Sequence, residues 1–139
     1  MNFSFSTLVF VSIIAFCYAK TYKVAVEGEV VCAGKPVRDA EVTIWERDTL
    51  RRDDKGQTKK TDRRGEFELQ LEESALLGSI EPYLIIKHNC NTKRENCIRE
   101  STFNFPKEFI FKKDERGRPW VKKFELTPEA KDGDKKVCK

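Results

Sequence analysis

Hydrophobic and polar residues alternate at every second position over several short stretches after residue 19. The clearest stretch is 66–71, and a longer one spans residues 24–32. A period of two is typical of a β-strand that buries one face. Strands are therefore predicted for both. The side chains expected to point inward are Val24, Val26, Gly28, Val30 and Cys32 in the longer stretch and Phe67, Leu69 and Leu71 in the other.

Other segments predict the rest of an all-β fold. Residues 81–88 are apolar on both faces, which predicts a central strand. Residues 72–77 suit a short helix ended by Gly78, and the polar stretch 48–60 suits a loop. Some seven or eight short strands with at most one short helix predict an antiparallel β-sandwich. The remaining predicted strands are 41–47, 101–105, 109–111 and 120–126, and the tail from residue 127 is expected to be loose apart from Cys138.

The first nineteen residues differ in kind from the rest. Residues 8–16 are almost continuously apolar and are followed by Cys17-Tyr18-Ala19, a small-x-small cleavage pattern, so we interpret residues 1–19 as a signal peptide. An uncleaved anchor is the alternative, but a spanning helix needs about 20 predominantly apolar residues. The interpretation predicts a secreted protein with one domain, residues 20–139, and no transmembrane segment after cleavage.

Cleavage would leave four cysteines, an even number in an oxidising compartment. Two disulfides are then expected, and four cysteines allow three pairings. We favour Cys90 with Cys97, which closes a short polar loop, and Cys32 with Cys138, which ties the tail to the first strand.

The net charge of the chain excludes few classes of function. The 139 residues include 27 Lys or Arg and 23 Asp or Glu, a formal net charge of +4. All of these residues follow residue 19, and both signs are interspersed, as on an ordinary solvated surface. So mild a bias does not indicate nucleic-acid binding.

Several motifs together resemble the nematode transthyretin-like family. They are Val26-Glu-Gly28-Glu-Val-Val-Cys32-Ala-Gly34-Lys35-Pro36-Val37, then Thr61-Asp62-Arg-Arg-Gly65-Glu-Phe67, then Glu81-Pro82-Tyr83 running into His88-Asn-Cys90, with Cys97 beyond. The resemblance covers nearly the whole mature chain. It implies a secreted, transthyretin or prealbumin-like β-sandwich from a family without an established enzymatic activity.

Catalysis is not predicted. The related hydroxyisourate hydrolases use more than one His, an Arg and a carboxyl-terminal Tyr-Arg-Gly-Ser, whereas this chain has one His and ends Lys-Lys-Val-Cys-Lys. His88 is interpreted as a structural histidine at a strand end, because no motif supplies it with a nucleophile.

No cofactor or metal is predicted either. His88, Cys90, Cys97 and Cys32 have the ligand types for zinc, but the secretory compartment favours disulfides. Asp48, Asp53, Asp54 and Asp62 lack the alternating spacing of a calcium loop.

Two basic clusters are candidate binding surfaces, since Lys and Arg near an exposed aromatic can engage anionic headgroups. The alternative is a solvated edge whose lysines block sheet aggregation. The first cluster is Lys59, Lys60, Arg63 and Arg64, and the second is Arg116, Arg118, Lys122 and Lys123 around Trp120.

Our first functional hypothesis is a non-enzymatic extracellular protein that recognises a cell surface, a receptor or an anionic lipid through loops on a rigid sandwich. The second is an oligomeric carrier that encloses a small apolar ligand between subunits. The sequence leaves the partner and the oligomeric state open.

Overall fold

The structure is a computed structural model, in which residues 19–139 are described, so the predicted signal peptide lies almost wholly outside the described residues. This part of the chain forms ten strands and one turn of 3₁₀ helix. The strands are β1 (Lys20–Cys32), β2 (Lys35–Pro36), β3 (Glu41–Glu46), β4 (Asp54–Lys60), β5 (Glu66–Ala75), β6 (Pro82–His88), β7 (Cys97–Asn104), β8 (Phe111–Lys112), β9 (Trp120–Glu125) and β10 (Asp134–Cys138), and the 3₁₀ turn is Lys107–Phe109.

The strands form two sheets packed face to face. In the first sheet, β1 lies between β5 and β9 and also pairs with the short strands β2 and β8; the second sheet has the order β10-β7-β6-β3-β4. This confirms the all-β sandwich and the central position of β6. One ladder departs from the antiparallel rule, because β9 runs parallel to β1, with Val26 opposite Trp120.

The core lies between the inner faces of the two sheets. The predicted inward residues of β5, Phe67, Leu69 and Leu71, are buried there, as are Val24, Val26 and Val30 of β1. Alternation therefore identified the buried face of both strands. The second sheet contributes Val42, Ile44, Leu84 and Ile86, and the end of the chain adds Phe124 and Leu126.

Two glycines of the motifs are required by close approaches in this core. A Cβ at Gly28 would lie 2.3 Å from the ring of Phe67, so only a residue without a side chain lets that ring cover β1. Gly65 has a φ of +74°, and a Cβ there would lie 2.4 Å from the carbonyl oxygen of Val30. Because its left-handed backbone suits glycine, the turn before β5 depends on it.

The helix predicted for residues 72–77 is wrong. β5 continues through Ala75, which pairs with Lys20 at the start of β1. The backbone partners offered by the neighbouring strand outweigh the local helix preference of this segment, as happens often in proteins. Gly78, with a φ of +70°, lies in the connection that follows β5 rather than at a helix end.

The loop predicted for residues 48–60 and the loose tail are also wrong in part. Residues 54–60 form β4, an edge strand paired with β3, and residues 134–138 form β10, which pairs with β7. Both strands lack an alternating pattern because they lie at the edges of their sheet and neither has a buried face. Together with two-residue strands, they explain why ten strands occur where about seven or eight were predicted.

Candidate functional site

A chain of hydrogen bonds between buried polar side chains joins β6, β7 and β10. His88 Nε2 lies 2.8 Å from Ser101 Oγ, and Ser101 Oγ donates to Asp134 Oδ2 at 2.8 Å. Strand pairing produces this arrangement, because Ser101 lies directly opposite Asp134. A serine, a histidine and an aspartate in contact invite comparison with a catalytic triad.

The order of the hydrogen bonds does not suit nucleophilic catalysis. The backbone N–H of Cys90 donates to His88 Nδ1 at 3.0 Å, so the ring proton is on Nε2, which donates to Ser101 Oγ. In a triad the histidine instead accepts the serine proton and the aspartate holds the other ring nitrogen. Ser101 is also buried, with 1% of its surface exposed. The cluster therefore holds the fold together.

Arg99 is the centre of this cluster. Its Nε and Nη2 atoms donate to the two carboxylate oxygens of Asp134 at 3.0 and 2.7 Å. The remaining donors reach three backbone carbonyls, those of Cys90 at 2.8 Å, Leu126 at 2.6 Å and Pro128 at 3.1 Å. All five N–H donors of the guanidinium are thus used inside the protein. Arg99 consequently fastens the tail to the second sheet.

The pKa values of the two ionisable partners reflect this setting. Burial lowers the pKa of His88 to about 4, the nearby Arg99 cation lowers it too, and Asp134 acts in the opposite direction. Burial alone would raise the pKa of Asp134, but hydrogen bonds from Arg99 and Ser101 outweigh it and the pKa is lowered. At neutral pH the cluster holds a neutral imidazole beside an ion pair.

Mild acid is expected to destabilise the protein through His88. The unfolded chain binds a proton near pH 6.5 and the folded protein only near pH 4. The free energy of unfolding should therefore fall as pH drops through that window, by roughly 2 to 3 kcal/mol from this group. Denaturant titrations at neutral and acid pH measure the fall.

The control for this prediction is His88→Gln, whose amide does not ionise. The variant retains Asp134 and the surface carboxylates, so the difference between the two pH dependences isolates the contribution of His88. An equal loss of stability in both proteins would contradict the assignment.

The predicted disulfide pairing is wrong, although all four cysteines form disulfides. Cys32 pairs with Cys90, and Cys97 pairs with Cys138. The expected pairing treated the tail as loose, but β10 runs beside β7 and places Cys138 opposite Cys97. Cys32, at the end of β1, instead joins the first sheet to the segment after β6. The disulfide between Cys32 and Cys90 adjoins the Arg99 cluster, since the carbonyl of Cys90 accepts a hydrogen bond from Arg99.

The aromatic residue of the second basic cluster is buried in the structure. Trp120 is 8% exposed and packs in the core against Phe105 and Phe124, with ring centroids 4.9 and 5.3 Å apart. The prediction that it lies bare among cations is therefore wrong. Arg118 covers the ring of Phe109 at 4.6 Å, and Arg116 is exposed in the turn before β9.

The structure brings the lysines of the two clusters together. Lys59 and Lys60 of β4, in the second sheet, line one groove together with Lys122 and Lys123 of β9, in the first sheet. Carboxylates share this groove, namely Glu27, Glu29, Asp62, Glu66 and Glu68. Lys60 also lies opposite Glu41, and Lys123 approaches Glu29 at 3.9 Å. The groove is thus of mixed charge, while Arg63 and Arg64 stay exposed in the turn beside it.

Sequence reasoning did not identify Arg99, Ser101 or Asp134 as important. One signal was available, because Cys97, Arg99 and Ser101 occupy alternate positions of one strand and share its inner face. An arginine on an inner face needs a buried partner. Its partner Asp134 is 35 residues away, on a strand that the pattern did not predict.

Side chains that could ligate a metal do not gather in the part of the chain that the structure describes. There, no group of three or more His, Cys, Asp or Glu side chains is placed to hold a metal ion. The cysteines considered for zinc are all in disulfides. Among residues 19–139, no helix is long and apolar enough to cross a membrane.

Fold and covalent links together define a small β-sandwich with two disulfides. A family profile described as "TTR-52: Transthyretin-like family" matches residues 27–106. The chain belongs to the transthyretin-like family, as its motifs indicated.

Individual relatives agree with this assignment. Transthyretin-like protein 16 of Caenorhabditis elegans is 42% identical over 94 residues, which cover 68% of this chain and 70% of that protein. Transthyretin-like protein 2 of the same organism is 35% identical over 96 residues, covering 65% and 64%. Among solved structures, a 9R-lipoxygenase from Cyanothece aligns over 76% of this chain and 16% of the lipoxygenase chain, with 14% sequence identity and a TM-score of 0.43. This likeness supports no inference.

Proposed function

We propose that the protein is a secreted, non-enzymatic binding protein that recognises a cell surface, through an anionic lipid or a receptor, with loops displayed on a rigid sandwich. One observation carries the proposal: in the described residues no buried polar side-chain atom lacks a hydrogen-bond partner. The buried polar side chains already have hydrogen-bond partners within the protein. The side chains available to bind another molecule therefore lie on the exposed loops and strand edges.

Secretion is supported by the covalent structure. Two disulfides persist in an oxidising compartment and are rare in the cytosol. They join the end of β1 to the segment after β6 and the tail to β7, which makes the scaffold stiff. Because a stiff scaffold presents its loops at little entropic cost, such a fold suits recognition.

Binding to cells tests the proposal directly. The protein is recovered from a secreting host, labelled with a fluorophore and titrated onto living cells. Saturable binding that an excess of unlabelled protein displaces is the expected result. The proposal would be contradicted if the protein showed no saturable binding to any of the cell types used.

Reversing charge in the basic turn maps the recognition surface. If this turn is the site, Arg63→Glu with Arg64→Glu should weaken cell binding about tenfold and reduce its salt dependence, because exposed cations attract anionic surfaces. Lys93→Glu with Arg94→Glu provides a matched reversal, since those side chains are also exposed. If the two variants bound cells with equal affinity, the turn would not be part of the recognition surface.

A further inference from the structure

Pairs of adjacent basic residues are frequent in this chain. Seven such pairs of Lys or Arg occur between residues 20 and 139. Subtilisin-like endoproteases of the secretory pathway cut proteins after such pairs, so a secreted protein meets these enzymes on its way out of the cell. A protease binds its substrate as an extended strand, through backbone N–H and C=O groups. The pair that can be cut is therefore one whose backbone is not already bonded within the fold.

Three of the seven pairs lie inside strands. Lys59-Lys60 belongs to β4, which pairs with β3, and Lys122-Lys123 belongs to β9, which pairs with β1. Lys135-Lys136 belongs to β10, which pairs with β7. Cleavage at any of these pairs requires the strand to leave its sheet, and opening a strand costs more free energy than opening a loop. The fold therefore protects these three pairs.

Two further pairs have hydrogen-bonded backbones in tight connections. Asp62 Oδ1 accepts the N–H of Arg64 at 2.9 Å, within the turn that contains Arg63-Arg64. The carbonyl of Asp62 accepts a second N–H of this turn, from Gly65, at 3.0 Å. At the end of β8, the N–H of Lys113, the second member of the pair Lys112-Lys113, donates to the carbonyl of Thr21 at 3.0 Å. Both segments must open locally before they can become extended.

The loop between β6 and β7 contains the pair Lys93-Arg94. Both side chains are exposed, but the carbonyl of Arg94, which belongs to the peptide bond to be cut, accepts the N–H of Cys97 at 3.2 Å. Cys90 and Cys97, on either side of the pair, are both in disulfides. The side chains of this pair are therefore accessible, whereas its backbone is held in place.

The seventh pair, Arg51-Arg52, lies in the connection between β3 and β4. Both side chains are exposed, and the preceding Leu50 is 92% exposed. Within residues 19–139, no hydrogen bond involves the backbone N–H or C=O groups of residues 49, 51 and 52. The N–H of Leu50 reaches only the carboxylate of Asp48, two residues away, at 2.9 Å. Exposed loop tips of this kind are the preferred sites of proteolytic nicking.

The two ends of this connection are anchored, and only its tip is without such contacts. At one end, the N–H of Arg47 donates to the carbonyl of Glu81 at 3.0 Å. At the other end, the carboxylate of Asp53 accepts the N–H of Asp48 at 3.1 Å and the hydroxyl of Tyr83. Because Asp53 is held through its carboxylate, the contacts that anchor this end do not occupy the peptide bond before it.

We propose that Arg51-Arg52 is a processing site, at which a secretory endoprotease specific for paired basic residues cuts the chain between Arg52 and Asp53. Hydrolysis breaks the amide bond between these two residues with one molecule of water. The hydroxyl of the water joins the carbonyl carbon of Arg52, and its remaining hydrogen joins the nitrogen of Asp53. The new acid then passes its proton to the new amine, which leaves a carboxylate and an ammonium. The inference relies on the proposed secretion and goes beyond the proposed binding role.

The cut protein is expected to stay in one piece. Residues 20–52 contain β1, β2 and β3, and residues 53–139 contain the other seven strands. β1 lies between β5 and β9, and β3 lies between β6 and β4, so both strands remain in their sheets. The disulfide between Cys32 and Cys90 joins the two chains covalently. The expected product is a two-chain protein that separates only after reduction and unfolding.

Digestion of the native protein by a purified endoprotease of this class tests the site. We expect the first cut after Arg52, at least about tenfold faster than any cut after Arg94, because a bonded turn must open before it is cleaved. Mass measurement without reduction should show one species heavier by one molecule of water, and reduction with denaturation should separate chains 20–52 and 53–139. A first cut at another pair, or no cut under conditions that cleave the unfolded protein, would overturn the proposal.

Matched variants show whether the pair itself is recognised. Arg51→Gln with Arg52→Gln should abolish the cut. Lys93→Gln with Arg94→Gln, the same change in another exposed loop, should leave the rate of the cut within about twofold, because distant sites act independently. Arg51→Gln alone should prevent cleavage by the paired-basic enzyme but not cleavage after Arg52 by trypsin, which needs a single basic residue. Cleavage of this single variant by the paired-basic enzyme at the native rate would contradict the site.

Processing in a cell provides the final check. The protein is secreted from animal cells that correctly process a co-expressed proprotein with a paired-basic site. Recovery of the two-chain form is the expected result, and recovery of the intact chain from such cells would refute the proposal. Cell binding is measured separately. An intact protein that binds cells removes only the processing site, and a two-chain protein that binds none removes only the binding function.

Discussion

Replacing Arg99 with methionine is expected to lower the free energy of unfolding by about 3 to 5 kcal/mol, because the change leaves a buried carboxylate without its counterion. The side chains of Arg99 and Asp134 are only 6% and 7% exposed, so water does not replace the lost partner. The carbonyls of Cys90, Leu126 and Pro128 lose their donor in the same step. Denaturant unfolding at neutral pH measures the loss.

Two controls show whether the loss comes from the buried charge. Adding Asp134→Asn to the Arg99 variant should restore part of the stability, because the uncompensated charge is removed. The exposed pair Lys87 and Glu41, 3.8 Å apart, provides the surface comparison, and Lys87→Met should change stability by about 1 kcal/mol at most. A similarly small effect of Arg99→Met would contradict the central role given to this residue.

Removing the disulfide between Cys32 and Cys90 is the second change with a large expected effect. The two cysteines are 58 positions apart, and chain-entropy estimates for a loop of that length give roughly 4 kcal/mol. The variant Cys32→Ala with Cys90→Ala should therefore unfold at a much lower denaturant concentration. Reduction of the native protein should have a larger effect, since it also opens the second disulfide.

Peptide mapping without reduction provides the check on the pairing itself. A fragment that joins Cys32 to Cys90, and another that joins Cys97 to Cys138, are the expected products. A fragment joining Cys90 to Cys97 would mean that the tail does not pair with β7 in the secreted protein. The stability of Cys97→Ala with Cys138→Ala then measures how much the tail strand depends on its disulfide.

The buried cluster and the disulfides both stabilise the scaffold that the proposed function requires. Cys90 belongs to both, because its sulfur bonds Cys32 and its carbonyl accepts from Arg99. They hold together the tail, β7 and the end of β1. Changes at Arg99 are therefore expected to affect stability first.

The sequence predicted elements whose signal is local. Alternation identified β5 and the buried faces of Phe67, Leu69 and Leu71, and the run of apolar residues on both faces identified β6 as central. Gly65, which belongs to one of the family motifs, adopts a positive φ in the turn before β5. The family was indicated in the same way, because each of its motifs is a short contiguous stretch of the chain.

The functional surfaces were harder to predict. The basic residues Lys59, Lys60, Lys122 and Lys123 stand out in the sequence, but their meeting in one groove with five carboxylates depends on how β4 and β9 are placed. Trp120 looked exposed because cations flank it, whereas the sheet turns its ring into the core.

By itself, then, the sequence determined the inner strands, the sandwich class and the family, because each follows from side chains close together along the chain. Only the tertiary structure decided the disulfide partners, the edge strands β4 and β10, and the ion pair of Arg99 with Asp134. The physical reason is that these features require segments distant in sequence to meet. The local sequence of a polar edge strand, or around a cysteine, does not identify its partner, which is set by backbone pairing between strands.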